Sequence, residues 1–167
     1  MIGQERLKDI INNHFTYEVI ELANCKEIYK GRVPSNLVQA FVNMGLEHTL
    51  LHSRVLYEFY FRLERRENPR EHPRANMFVT DFRKPDFATN ITETFWEKVN
   101  NQILHLGVNR TGEPSEKFTI PETIGIANDI LMITKDFLIR LEPVNEGFFW
   151  GDKLRELKSN IDHFVAS

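Results

Sequence analysis

Apolar residues recur along this chain at three- and four-residue spacing, and no segment alternates convincingly with the period of a strand. The pattern is longest from Pro34 or Ser35, either of which can open a helix, to about Arg66, a stretch whose one internal glycine is Gly45. Leu37, Phe41, Met44, His48, Leu51, Val55 and Phe59 form a seam there, four and three residues apart. Leu46, Leu50, Tyr57 and Phe61 fall on the other side, so the spacing predicts a central helix covered on both flanks, with the seam facing inward.

Shorter elements surround it. Leu7, Ile10 and Ile11 suggest a helix within Met1–Phe15; Thr16 is placed to cap a second one, with Val19, Ile20, Ala23 and Ile28 inward and Gly31 as its stop. Residues 67–90 carry Pro69, Pro73 and Pro85 and read as a long connection with one helical turn around Ala75–Phe82. Connections of this length are uncommon unless functional. Thr92 to about Leu106 is a helix with Phe95, Trp96, Val99, Ile103 and Leu106 inward, stopped by Gly107. Pro121 opens another to Leu141, along Ile124, Ala127, Leu131, Thr134, Leu138 and Leu141. After the aromatic run Phe148-Phe149-Trp150, which suits a plug under a loop, Asp152 is placed to cap a last helix with Leu154, Leu157, Ile161 and Phe164 inward. The expectation is an all-α, up-and-down bundle of five or six helices with one long central helix, forming a single domain over residues 1–167.

Composition narrows this picture little. The chain has 167 residues and a formal net charge of −3, which gives no global basic footprint for nucleic acid. Arg62, Arg65, Arg66, Arg70 and Arg74, with Arg83 and Lys84, are the most basic region, diluted by Glu64, Glu67 and Glu71. Apolar runs such as Ile130–Met132 are far short of the about 20 residues of a membrane span, so no membrane partner is expected. The first residues lack the basic-then-apolar pattern of a signal peptide, and a cytoplasmic location is the expectation. Without a signal peptide the triplets at Asn90 and Asn109 read as chance matches to the glycosylation pattern. Cys25 is the only cysteine, excluding an internal disulfide and a cysteine-based zinc site, and no cofactor signature is present.

His48 and His52 lie one helical turn apart on one side, a spacing at which two imidazoles can share a metal ion, with His105, Asp81 or Glu47 as third-ligand candidates. The plainer account makes His48 a hydrogen-bonded seam residue and His52 a boundary residue. No HExxH or paired Glu-x-x-His motif accompanies them. Arg54 and Glu58 form an i,i+4 pair, with Glu47 two turns before on the same flank; this reads as an ion-pair row, or as an arginine held to meet phosphate. Asn101 and His105 are also one turn apart, followed by Arg110; an imidazole titrating near about 6.5 serves as acid or base.

The stretch Leu50-Leu51-His52-Ser53-Arg54-Val55-Leu56-Tyr57-Glu58-Phe59 resembles a pattern of uncharacterised bacterial all-helical proteins. The resemblance extends to Thr16-Tyr17-Glu18, Asp81-Phe82, and Asn101 to Leu106 with Arg110. More distantly the chain is similar to the HEPN superfamily of helical bundles, often dimeric and often toxins or RNA-processing nucleases. Active members carry an arginine, commonly followed by a polar residue, four to six residues before a histidine, and cleave RNA without metal across a dimer interface. Asn101 and His105 match the last two elements, while Asn100 stands where the arginine would be and Arg110 follows the histidine. The resemblance implies a homodimeric, non-catalytic binding module in an RNA-linked or defence-related role. Its alternative is a metal-independent ribonuclease using His105 with Arg54 or Arg110, and a further one is a metal-dependent bundle enzyme using His48, His52 and His105.

Overall fold

The structure is a computed structural model and describes residues 3–28, 38–61, 74–92, 94–100, 117–144 and 152–166, together with Gly147 and Phe149. Every regular element among them is helical. Helix α1 (Gln4–Asp9), one π-helical stretch (Ile10–Phe15) and helix α2 (Thr16–Ile28) run on from one another. The wider π turn dislocates the backbone ladder, and nearby side chains take up its carbonyls. Asn12 Nδ2 donates to Lys8 O at 2.7 Å and Thr16 Oγ1 to Ile11 O at 2.9 Å. The gain is burial: Ile10, Ile11, Asn12 and Phe15 all turn inward within six residues. Thr16 is therefore no N-cap, because the chain is already helical when it arrives there.

Helix α3 (Val38–Phe61) is the long central helix, packed between α2 and α5 with α4 against it. Its opening at Pro34 or Ser35, its extension to Arg66 and the stop at Gly31 lie outside the described residues. After a 3-10 turn at Ala75–Met77 come α4 (Phe95–Val99), α5 (Ile120–Leu141) with a second 3-10 turn (Glu142–Val144) at its end, and α6 (Lys153–Ala166). Ile103, Leu106 and Gly107 also lie outside the described residues, as do Phe148 and Trp150, whereas Phe149 is half-buried against the core. Thr119 and Glu122 start α5 with a reciprocal capping box around Pro121, and the helix ends at Leu141 as its sequence stripe predicts. Asp152 pairs with Arg155 at 2.6 Å just before α6. No described helix is long and apolar enough to cross a membrane.

The core is aromatic at its centre. Phe137 of α5 lies 5.5 Å from Phe15, 5.5 Å from Phe59, 5.7 Å from Tyr60 and 5.3 Å from Phe82 between ring centroids, mostly edge to face. Phe78 and Phe82 bring the long connection into this core, so residues 74–92 are packed structure. The connection is tied to α5 by buried Asp129, whose carboxylate accepts from Asn90 N (2.7 Å) and Asn90 Nδ2 (3.2 Å). A Cβ at Gly125 would stand 2.9 Å from Asn90 Oδ1, so a larger residue there would have to displace the Asn90 side chain. Asp81 turns the connection with a left-handed φ of 61°.

The face that α3 buries departs from the sequence expectation. Met44, His48 and Val55 are exposed and Leu51 is half-buried; of the described seam residues only Phe59 is buried. The buried side runs through Gly45, Thr49, His52, Ser53, Leu56 and Tyr60. Thr49 Oγ1 there returns its hydrogen bond to Gly45 O at 2.7 Å. Bulk hydrophobicity pointed to one stripe, while the packing surface of small and polar residues lies beside it.

Candidate functional site

Helix α2 presents Glu18, Leu22 and Cys25 at spacings of four and three, and all face inward or to the boundary. Across from them stand Thr49 and His52 of α3. His52 is 6 % exposed, and its Nδ1 lies 2.7 Å from Glu18 Oε2. A carboxylate only accepts, so Nδ1 is the donor to Glu18. Nε2 has no hydrogen-bond partner among the described residues and is not sealed from solvent. His48, one turn earlier and exposed, has its ring centroid 5.6 Å from that of His52. Tyr17, 56 % exposed, covers His52 edge-on at 6.1 Å. The two histidines expected together are thus together, and one of them, His52, is oriented by a glutamate 34 positions away that the sequence spacing did not single out.

Beside this pair runs the exposed seam of α3. Met44 is 55 % exposed and Val55 38 %, with His48 and Leu51 between them. Glu47, which is exposed, and Arg54 flank it on the side away from α2. Other exposed apolar residues, including Phe87, Met132 and Ile139, lie on other elements.

Arg54 is held from two sides. Its Nη2 pairs with Glu58 Oε1 at 3.0 Å, and its guanidinium lies 5.5 Å from the Trp96 ring. The same Glu58 oxygen accepts from Trp96 Nε1 at 2.8 Å. The expected surface ion pair is therefore part of an α3–α4 clamp with a tryptophan at its centre. Glu58 and the Trp96 ring hold this arginine, while its Nε is buried with no hydrogen-bond partner among the described residues. Asn100, at the end of α4, is buried and its Oδ1 is without a hydrogen-bond partner among the described residues, as is buried Ser53 Oγ. Asn101, His105 and Arg110 lie outside the described residues.

Cys25 is buried, and desolvation pushes its thiol up to about 11; a Thr49 hydrogen bond acts the other way and Glu21 adds to the rise. Such a thiol is no nucleophile at neutral pH. Asp81, named as a third metal ligand, sits in the connection. Among the described residues no group of three or more His, Cys, Asp or Glu side chains could hold a metal ion. Near α4 a half-open pocket of about 160 Å³ is lined by Asn90, Phe95, Lys98, Phe118 and Glu122 among others. Lys98 is already engaged there, over the Phe118 ring at 4.3 Å and 3.7 Å from Glu122.

Fold and site together define an all-α helical bundle whose central helix leaves an apolar seam exposed beside a histidine pair, one member of which Glu18 orients. Comparison with protein-family models, with curated proteins and with solved structures finds no match to this chain.

Proposed function

We propose that this chain is a non-catalytic interaction module that pairs with a second copy of itself through the exposed seam of α3. The observation that carries this reading is the stripe Met44, His48, Leu51 and Val55, apolar apart from its histidine and displayed at heptad spacing. An antiparallel pairing sets Met44 against Val55 of the second copy and His48 against its Leu51, and symmetry repeats both layers. Each copy supplies both members of every layer. The flank is also self-complementary: Glu47 and Arg54 are seven positions apart, so the same two-fold brings each Glu47 near the other copy's Arg54. A single polar residue within such a seam fixes register, and His48 fills that role.

The HEPN resemblance extends this reading to an RNA-linked or defence-related setting in a cytoplasmic protein. The metal-independent ribonuclease stays the weaker reading, because Asn100 stands where active members of that superfamily carry an arginine.

Sedimentation of purified protein tests the pairing. The wild-type chain is expected to be dimeric, and Met44→Lys with Val55→Lys to be monomeric with an unchanged helical spectrum, since both positions are exposed. Cysteine trapping fixes the direction: Met44→Cys mixed with Val55→Cys forms a disulfide-linked dimer, while neither variant does so alone. A wild-type monomer at every concentration overturns the reading.

A further inference from the structure

The two histidines sit where this pairing has its symmetry centre. The midpoint of His48 and His52 is position 50. The centre of the Met44·Val55 and His48·Leu51 layers falls between positions 49 and 50, and that of the Glu47·Arg54 contacts between 50 and 51. All three agree to within one residue, about 1.5 Å of helix rise. In the heptad frame His48 is a seam position and His52 lies on the flank nearest α2, opposite the flank of Glu47 and Arg54. Antiparallel pairing places like flanks on the same side, so the histidine pairs of both copies lie together across the two-fold.

We propose that His48 and His52 form half of a transition-metal site, suited to Zn²⁺, which a second copy of the chain completes with its own two imidazoles. Among the described residues one chain supplies too few ligands, with no group of three or more that could hold a metal ion. Four nitrogen ligands suit tetrahedral Zn²⁺. Glu18 has the place of the carboxylate found behind metal-bound histidines: at 2.7 Å from Nδ1 it would hold the Nδ1 proton and leave Nε2 as the ligating nitrogen. His48, exposed, can turn about its side-chain bonds to join it. The bound ion would link self-association to metal supply. This inference rests on the antiparallel pairing proposed above.

The test uses untagged, chelator-treated protein, with Zn²⁺ titrated calorimetrically, Co²⁺ followed by its visible absorption, and sedimentation run with EDTA and with Zn²⁺. One ion per two chains, a tetrahedral Co²⁺ spectrum and a zinc-dependent gain in dimer are expected. His48→Ala, at an exposed position that leaves the fold intact, is expected to abolish all three, and Glu18→Gln to weaken binding about 10- to 100-fold. A dimer in EDTA that zinc leaves unchanged overturns the metal site and keeps the pairing. A monomer under both conditions overturns both. Ion binding that survives His48→Ala, or one ion per monomeric chain, overturns the shared site.

Discussion

The most informative single residues are polar ones inside the bundle, and each carries a partner distant in sequence. His52 meets Glu18, Trp96 meets Glu58, and the Tyr60 hydroxyl donates to Thr134 Oγ1 at 2.7 Å, which in turn donates to Ile130 O. Burial pushes Tyr60 ionisation well above its ordinary range. Cys25 is the residue whose burial makes a measurable prediction. The unfolded thiol loses its proton around pH 9 and the folded one only near 11, so the folded state binds more protons in that window. The stability that neutral Cys25 provides is therefore complete below pH 9 and is lost as pH rises towards 11, by about 2–3 kcal/mol at most. Denaturant unfolding across this range is expected to show a steeper decline in wild type than in Cys25→Ala. Equal slopes would mean that Cys25 ionises as freely in the fold as in the unfolded chain.

Among the elements, α5 was legible from sequence at both ends, and α3 was legible in position but not in orientation. Pro121 and the stripe to Leu141 are local signals, and the capping box that closes the start is local too. The facing of α3 is not local. It carries apolar residues on two sides, and which side packs depends on where α2 and α5 lie against it. The histidine pair could be read from spacing, while its glutamate could not, because no rule of local spacing connects residues 18 and 52. The cap of α5 lends itself to measurement. Thr119 N donates to Glu122 Oε2 at 2.7 Å, and Glu122 N donates to Thr119 Oγ1 at 3.3 Å. The backbone donation, then the Thr119 side chain, hold the Glu122 carboxyl below its ordinary value of 4.5, against a small desolvation effect and with help from Lys98. Thr119→Ala is expected to cost about 1 kcal/mol near neutral pH. Since the folded carboxyl is the stronger acid, its contribution is present above pH 4.5 and fades as pH falls through the depressed value. The gap between wild type and Thr119→Ala should narrow in acid; a gap that stays constant would mean that the Thr119 hydroxyl takes no part in holding the Glu122 charge.

For the whole molecule, the question is whether the long connection belongs to the bundle or hangs beside it. Its prolines and charges read as a loop, and Met77, Phe87 and Asp81 do lie at the surface. Yet Phe78 and Phe82 enter the aromatic core, Lys84 Nζ donates back to Ile91 O at 2.5 Å, and Asp129 fastens Asn90 to α5. If that packing is part of one cooperative core, Phe82 and Phe137 cannot act independently, because their rings meet edge to face at 5.3 Å. Phe137→Ala alone is expected to cost about 3–5 kcal/mol. A double-mutant cycle with Phe82→Ala should return a coupling of about 0.5–1.5 kcal/mol, the double variant being less destabilised than the sum of the single ones. Additive costs would place the connection outside the core and remove the aromatic tie between it and α5. With coupling present, residues 74–92 help fix α5 against α3, and thereby the background against which the seam of α3 stays exposed for a partner.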